Sequence, residues 1–160
     1  MGTLGVKIIS LDVKKLITLL NKALADEWLA YYQYWIGAKV ISGLMRQAII
    51  AELNEHANDE LRHAGMLADR ILQLEGIPIL EPKDWYKMTR CGYEIPKNPK
   101  AILILKQNIK GEQCAIKVYN KLVKLTKDKD LITYNMILEI LTDEVEHEDD
   151  LQTLLEDIKK

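Results

Sequence analysis

The positions of the prolines constrain the fold of this chain more than any other feature of its sequence. All four prolines among the 160 residues lie between Pro78 and Pro99. Proline breaks or kinks a helix interior, so the long stretches on either side of this window lack the strongest helix breaker. Their apolar residues also recur at the helical period of three to four residues. We therefore predict an all-α fold.

The breakers and turns divide the chain into four long helices within a single domain spanning residues 1–160. We predict helices at about 11–42, 44–74, 99–126 and 130–158, with Gly43, Gly76 and the segment KDKD near their ends. The connection over about 76–98 is long enough to cross the length of a bundle. The predicted fold is therefore a four-helix bundle of up-down-down-up topology, with one long crossover between the second and third helices.

Composition excludes several classes of protein. The chain is 48% hydrophobic and 29% charged, with a net charge of −2, which gives no reason to expect a nucleic-acid partner. No apolar stretch approaches the roughly 18 residues that a membrane span needs. The N-terminal region carries Lys7, Asp12 and Lys14, where a signal peptide would be continuously apolar. We expect a cytoplasmic protein with no membrane partner.

Two of the three histidines follow a glutamate by three positions, in the segments ELRH and EVEH. Residues at this spacing lie on one face of a helix, so Glu60 and His63 can reach one ion, as can Glu144 and His147. The two motifs lie in opposite halves of the chain. A solitary glutamate also occurs in each half, Glu27 and Glu112, at nearly the same separation as the motifs. The chain thus reads as one helix pair used twice.

This doubled pattern predicts a dinuclear metal centre inside the bundle, the arrangement that helical di-iron and di-manganese carboxylate proteins share. Four carboxylates facing one another without cations would be severely destabilising. Two divalent ions would balance their charge, and two neutral imidazoles would complete the ligand set. The other acidic residues of the last helix are interpreted as a solvated face: Glu139, Glu146, Asp149 and Asp150.

Three segments carry a resemblance to a known family: NKALADEWLAYYQY, HANDELRHA and ILTDEVEHEDDLQTLL. They resemble the ferritin-like superfamily, specifically the Dps-like proteins with a bacterioferritin-type di-iron centre, called thioferritins. The resemblance implies that Glu60 and Glu144 bridge two iron ions per subunit. It also implies terminal carboxylates, one imidazole for each ion and a tyrosine beside the metals: Glu27, Glu112, His63, His147 and Tyr34.

The sequence departs from the bacterioferritin pattern at two places. Leu61 stands where bacterioferritins carry the methionine that binds haem, so no haem is expected by that route. Only the segment 148–160 follows His147, and it is too short for the fifth helix of the 24-subunit shell. This favours a homo-oligomeric shell of twelve subunits. The lysine-rich tail with which many Dps proteins bind DNA is reduced to Lys159 and Lys160, so DNA binding is not expected.

Four further residues are assigned to supporting roles. Cys91 and Cys114 match the cysteines of thioferritins, which suggests a redox pair beside the centre that forms a disulfide under oxidant. The alternative is two buried thiols acting as small apolar residues. Tyr34 and Tyr119 are expected either to donate electrons or to hydrogen-bond to ligand carboxylates, and we favour the second role. His56 is expected either to support the metal ligands or to bind iron in transit.

The main functional hypothesis is a ferroxidase mini-ferritin. Such a protein oxidises Fe(II) with peroxide or dioxygen, stores ferric iron in its shell and protects against oxidative damage. Two alternatives stay open. One is a di-iron peroxidase or oxygenase of the rubrerythrin type, without storage. The other is a helical oligomer whose acidic core holds a structural ion such as zinc. The ligand types alone do not select iron over manganese.

Overall fold

The computed structural model describes residues 4–160, which are helical and contain no β-strand, only an isolated bridge between Ser42 and Lys100. The first three residues of the predicted domain lie outside the described residues. The helices within 4–160 are α1 (Leu4–Lys7), α2 (Val13–Val40), α3 (Arg46–Gln73), α4 (Trp85–Met88), α5 (Ala101–Thr126) and α6 (Leu131–Asp157). A turn of 3₁₀ helix over Pro82–Asp84 leads into α4. The predicted all-helical fold is confirmed.

The four long helices begin and end within two positions of those predicted, and side-chain caps explain two of the starts. The carboxylate of Asp12 accepts a hydrogen bond from the Lys15 backbone N–H at 3.0 Å, and that of Asp130 accepts one from the Thr133 N–H at 3.1 Å. Each satisfies a backbone donor that the first turn of a helix leaves free. Helices α1 and α4 were not predicted, because such short segments show no helical period.

One helix end differs from the prediction in its detail. The left-handed residue after α3 is Glu75, with φ of 64°, and not the glycine that follows it. Gly76 instead allows its backbone to lie close to Ile17, because a Cβ there would be 2.8 Å from Cγ2 of Ile17. The glycine therefore lets the end of α3 pack directly against the first turns of α2.

Backbone hydrogen bonds between the helix ends fix the topology. The Ser42 N–H donates to the Pro99 carbonyl at 2.8 Å, so the end of α2 lies beside the start of α5. At the other end of the bundle, the Ser10 N–H donates to the Lys129 carbonyl at 3.0 Å, between α5 and α6. Helix α2 is thus antiparallel to α5, while α3 and α5 start at the same end. The up-down-down-up order with one long crossover follows.

The bundle interior consists of two apolar clusters with a layer of buried polar side chains between them. One cluster is centred on Leu16, Leu20, Leu67, Ile71, Leu122 and Ile137. The other is centred on Ile41, Ile49, Leu53, Ile104, Leu105 and Leu151. None of the helices over residues 4–160 is long and apolar enough to cross a membrane. Hydrophobic packing does not explain this polar layer.

Candidate metal centre

The six predicted ligands meet in the polar layer, and each is almost completely buried. Their exposed fractions run from 0% to 3%: Glu27, Glu60, His63, Glu112, Glu144 and His147. Each of the four long helices contributes, with α2 and α5 giving one glutamate each and α3 and α6 giving one Glu-x-x-His pair each. Carboxylates at this depth are unusual without a positive partner.

The donors form two overlapping groups, each of three carboxylates and one imidazole with ligand atoms within 4.8 Å of one another. One group is Glu27, Glu60, His63 and Glu144, and the other is Glu60, Glu112, Glu144 and His147. Glu60 and Glu144 belong to both. Their two oxygens can therefore serve two ions at once, the geometry of a bridged pair.

Both histidines direct Nδ1 into the centre. Nδ1 of His63 lies 3.3 Å from an oxygen of Glu27, 3.5 Å from Glu60 and 3.3 Å from Glu144. Nδ1 of His147 lies 3.7 Å from Glu60 and 3.8 Å from Glu144. Donors that share an ion at metal-ligand distances of about 2.1 Å lie roughly 3 to 4 Å apart, so these spacings suit a common cation.

The donor set fits metal ions better than it fits a polar core without them. Several inward-facing atoms have no hydrogen-bond partner among residues 4–160, including both oxygens of Glu144 and Nδ1 of both histidines. Burial, and then the charge of Glu144, raise the pKa of Glu60 and of Glu112 well above the usual value. Without cations, burial and the neighbouring carboxylate therefore favour the protonated form of these two carboxyls.

In two ligands, the neighbouring groups outweigh the effect of burial on the pKa. Burial acts to raise the pKa of Glu27, but the neighbouring His63, whose Nδ1 lies 3.3 Å from a Glu27 oxygen, outweighs it and leaves the pKa lowered. Burial acts to lower the pKa of His63, but the carboxylates of Glu144 and Glu27 outweigh it and raise the pKa. His63 therefore carries a proton in the metal-free centre, in the place where an ion would lie.

The outer nitrogens of the histidines contact two aspartates that the sequence analysis missed. Nε2 of His63 lies 2.9 Å from the Asp143 carboxylate, and Nε2 of His147 lies 3.5 Å from that of Asp59. Arg62 also donates to Asp143 at 2.6 Å. A carboxylate on the outer nitrogen fixes the ring orientation and directs the other lone pair at a metal. The signal was present, because the two aspartates are separated along the chain by the same interval as the two Glu-x-x-His motifs.

The two tyrosines connect opposite halves of the repeat. Tyr34 donates a hydrogen bond to the Glu112 carboxylate, and Tyr119 donates one to Glu27. Burial raises the pKa of both phenols well above the usual value, which keeps them protonated. Each tyrosine lies seven residues after the glutamate of its own helix, which is two helical turns, so the two side chains share a face. The bond itself goes to the glutamate of the other helix, so each phenol orients a ligand across the bundle.

His56 lies next to the centre and not in it. Its ring stacks on His147 with centroids 4.0 Å apart, and Nε2 lies 3.2 Å from Glu52 and 3.8 Å from Asp150. Burial, and then the neighbouring His147, lower the pKa of His56 to about 3. Glu139, Glu146 and Asp149 are exposed as interpreted from the sequence. Asp150 differs, because it turns toward His56 and is only partly exposed.

A cavity of about 520 Å³ extends from the ligands toward the crossover, and the two cysteines line it. Cys91 and Cys114 form a disulfide with 5.7 Å between their Cα atoms. The crossover is held there by Asp26, whose buried carboxylate accepts hydrogen bonds from the backbone N–H groups of Arg90 at 2.8 Å and Cys91 at 3.0 Å. The disulfide is therefore a neighbour of the centre and not one of its ligands.

Known proteins resemble this chain in sequence over most of its length. The sequence profile of the ferritin-like domain matches residues 17–160. The DNA protection during starvation protein of Pyrococcus furiosus is 34% identical over 146 residues, which cover 91% of this chain and 79% of that protein. The bacterioferritin of Brucella melitensis is 30% identical over 147 residues, covering 91% of this chain and 86% of that protein.

Solved structures give the same result. The structure described as a dodecameric thioferritin, the bacterioferritin-related protein of Bacteroides fragilis, is 47% identical to this chain. It superimposes with a TM-score of 0.97, covering 99% of this chain and 95% of that one. Dps from Thermosynechococcus elongatus superimposes with a TM-score of 0.84 over 89% of this chain and 90% of its own. At 17% identity, that second likeness supports the fold alone.

Proposed function

This chain belongs to the ferritin-like domain family, and we propose that it is a ferroxidase that takes two ferrous ions as substrate at the dinuclear centre. One observation carries the proposal: six buried donors form two overlapping ligand groups that share Glu60 and Glu144. A structural ion needs one closed set of ligands. Two adjoining sets with shared carboxylates suit a reaction that uses two metal ions together.

The chemistry follows from having two ions side by side. Each ferrous ion gives up one electron, and reduction of peroxide to two waters takes two electrons and two protons. A pair of ions therefore supplies both electrons in one encounter, without releasing a one-electron product of peroxide. Dioxygen is the other oxidant that we propose. The cavity of about 520 Å³ that reaches Glu27, Glu60, Glu112 and Glu144 gives such small molecules access.

The protein residues have separate tasks in this proposal. Glu60 and Glu144 hold both ions, and the remaining four ligands complete one ion each: Glu27, His63, Glu112 and His147. Tyr34 and Tyr119 orient the terminal carboxylates, which otherwise have free rotation about their last bond. Asp59 and Asp143 orient the imidazoles. Mixed oxygen and nitrogen ligands accept both iron and manganese, so the proposal of iron rests on the ferritin-like relatives.

We infer that the chain assembles as a homo-oligomeric shell of twelve copies that stores ferric iron. The 47% identical thioferritin is described as dodecameric, which supports this number. The isolated chain also leaves large apolar side chains in solvent, among them Leu44 at 75%, Ile77 at 70% and Leu80 at 79% exposure. Contacts between copies would cover such side chains.

We also propose that the Cys91–Cys114 disulfide takes part in redox chemistry near the centre. Its support is position, because both sulfurs line the cavity that the ligand carboxylates line. In this proposal two thiols are oxidised to the disulfide while peroxide is reduced to two waters. Free thiols of the reduced protein should disappear after a peroxide pulse, and a thiol count that stays at two per chain would contradict the redox role.

Two expected absences also remain part of the proposal. Leu61 follows the bridging Glu60, so we expect no haem there and no Soret absorbance in protein from haem-replete cells. With a net charge of −2, we expect no binding to DNA. A gel shift at low salt, where electrostatic binding is strongest, is the test of that expectation.

Stopped-flow absorbance tests the ferroxidase proposal directly. Metal-free protein is loaded anaerobically with ferrous iron and then mixed with peroxide or dioxygen. We expect near-ultraviolet ferric absorbance to rise faster than in a protein-free control, with a break at two irons per chain. Glu144→Ala should abolish the rise, whereas Glu146→Ala, an exposed glutamate on the same helix, should keep it. A rate equal to the protein-free control would overturn the proposal.

A further inference from the structure

A third group of metal-binding residues lies outside the dinuclear centre, between the first half of α3 and the last turns of α6. It consists of Glu52, His56 and Asp150, whose donor atoms lie within 4.8 Å of one another. Nε2 of His56 is 3.2 Å from a Glu52 oxygen and 3.8 Å from an Asp150 oxygen. These are the spacings that three ligands of one cation show at bond lengths of about 2.1 Å.

His56 itself is the independent sign that something binds there. Its side chain is only 2% exposed, and neither ring nitrogen has a hydrogen-bond partner among residues 4–160. A buried polar atom left without a partner destabilises the fold, so a ligand that satisfies it is favoured. Nε2 is directed at two carboxylates, and a divalent cation between them would take its lone pair.

The internal repeat shows that the fold does not require polar residues at this place. The repeat that pairs Glu60 with Glu144 gives each of the three residues an apolar counterpart in the other half of the chain. These counterparts are Met136 for Glu52, Ile140 for His56 and Met66 for Asp150. In the structure the three counterparts belong to the apolar cluster at the opposite end of the bundle. One end of the centre is therefore closed by apolar packing, and the other carries three metal-binding side chains.

The position of the group connects the dinuclear centre with the protein surface. The ring of His56 stacks on that of His147, a ligand of the centre, with centroids 4.0 Å apart. On the outer side, the side chains of Glu52 and Asp150 are 27% and 44% exposed. None of the three residues lines the cavity beside the disulfide. The group thus marks a second approach to the centre, separate from that cavity.

We propose that Glu52, His56 and Asp150 form a third divalent-cation site, through which iron passes between the dinuclear centre and the surface at this end of the bundle. A buried imidazole and two partly exposed carboxylates suit a first-row divalent ion that must both bind and leave. The transit role rests on the proposed ferroxidase function, whereas the binding of a cation here does not depend on it.

Zinc binding to the whole assembled protein tests the site without redox chemistry. The test variant is E52Q/D150N, which removes two charges and keeps the shapes. Its matched control is E55Q/D149N, with the same exchanges at exposed positions of the same two helices. By equilibrium dialysis we expect three zinc ions per chain in the natural protein and the control, and two in the test variant. Anomalous diffraction from zinc-soaked crystals should place the third ion at Nε2 of His56.

Two results would overturn the site: only two ions per chain in the natural protein, or a third ion that E52Q/D150N retains. The transit role has its own readout. When both proteins are first loaded anaerobically with two ferrous ions per chain, we expect the test variant to oxidise them as fast as the natural protein does. We expect it to refill the centre with ferrous iron, and therefore to build mineral, several-fold more slowly. Mineral growth at the natural rate would overturn the transit role. If the natural protein itself shows no fast first phase, the ferroxidase proposal is contradicted instead. Failure of the transit role and failure of the ferroxidase proposal can therefore be distinguished.

Discussion

At the residue scale, the centre depends on side chains that do not themselves face the metals. His63 and His147 each present Nδ1 to the ligand groups because an aspartate holds the opposite nitrogen. Each aspartate directly precedes the glutamate of its own helix that both ligand groups share, so one short segment supplies a shared carboxylate and also contacts the imidazole of the other helix. The sequence DE-x-x-H, present in both halves, is therefore a single functional unit.

The first prediction concerns Asp143→Asn. Without the carboxylate beside Nε2, the His63 ring loses both its fixed orientation and part of its basicity, so we expect metal affinity to fall by about 10- to 100-fold. Calorimetric titration of metal-free protein with Co(II) measures the change. Asp149→Asn, an exposed aspartate on the same helix, should bind as the natural protein does. Equal affinities in both variants would contradict the orienting role.

A second prediction at this scale concerns protons. In the metal-free centre the pKa values of Glu60, Glu112 and His63 are all raised, so these groups hold protons that an incoming cation must displace. Raising the pH removes that competition, and metal affinity should therefore increase with pH. Calorimetry in buffers of different ionisation enthalpy should show proton release with each ion bound. Binding that is independent of pH would show that the ligands are already deprotonated.

The sequence identifies the residues of the buried cluster because spacing along a helix determines which side chains share a face. The doubled Glu-x-x-His motif and its regular separation along the chain depend only on helix geometry and on the repeat. Contacts between residues of different helices produce no regular spacing in the sequence. The bond from Tyr34 to Glu112 could not be deduced from spacing along one helix. For the same reason Asp150 was interpreted as a solvated residue, since its contact with His56 exists only once α3 and α6 pack together.

At the element scale, the crossover is the part of the chain that depends most on specific bonds. It contains one short α-helix, and its attachment near the centre comes from the Cys91–Cys114 disulfide and the hydrogen bonds to Asp26. The long helices, by contrast, are predicted by the helical spacing of their apolar residues and by the absence of proline within them. That is why the sequence predicts their ends closely and predicts nothing about α4.

The disulfide yields a third prediction. It closes a loop with a sequence separation of 23 residues, for which chain-entropy arguments give a stabilisation of about 3 kcal/mol. Reduction should therefore lower the Tm of the natural protein and leave C91S/C114S unchanged by the same reductant. Because Asp26 still holds the crossover, the reduced protein should bind as many metal ions per chain as the oxidised protein does. Loss of metal binding on reduction would give the disulfide a larger role than anchoring.

The turn between α5 and α6 yields a fourth prediction, on pH. Arg70 donates to both oxygens of Asp130 at 3.0 Å, and both side chains are buried. Burial acts to raise the pKa of Asp130, but hydrogen bonds from Thr133 and Arg70 outweigh it and lower the pKa. A lowered carboxyl pKa stabilises the fold above the unfolded value of about 3.9, and that stabilisation is lost as the pH falls below it.

Asp130→Asn isolates this charge, because asparagine still caps the start of α6. We expect a loss of about 2 to 3 kcal/mol in the free energy of unfolding at neutral pH, since the buried guanidinium loses its counter-charge. The difference from the natural protein should shrink as the pH falls below about 4 toward the lowered pKa of Asp130, where the folded protein protonates this carboxylate. Thermal unfolding of both proteins across that range measures it, and a constant difference would contradict the assignment.

At the scale of the whole molecule, the residues that stabilise the bundle are separate from those that form the candidate metal centre. Two apolar clusters hold the ends together, and the buried charges occupy the layer between them. This arrangement tolerates the charges because packing on both sides fixes the helices that carry them. It also places approaches to the centre on two faces, the cavity beside the disulfide and the group around His56. A centre reached from two sides suits the proposed reaction, which needs both a ferrous ion and a small oxidant.

The last prediction distinguishes a storage shell from a non-storage di-iron enzyme. Sedimentation of the metal-free protein should give twelve times the 18.4 kDa mass of one chain. After repeated additions of ferrous iron and peroxide, a hollow shell should elute from a sizing column at the same volume with far more iron than its binding sites hold. A bundle of the rubrerythrin type would retain two irons per chain and precipitate the rest. The apolar side chains that the single chain exposes favour the first result, because a protein that stays monomeric has no surface to cover them.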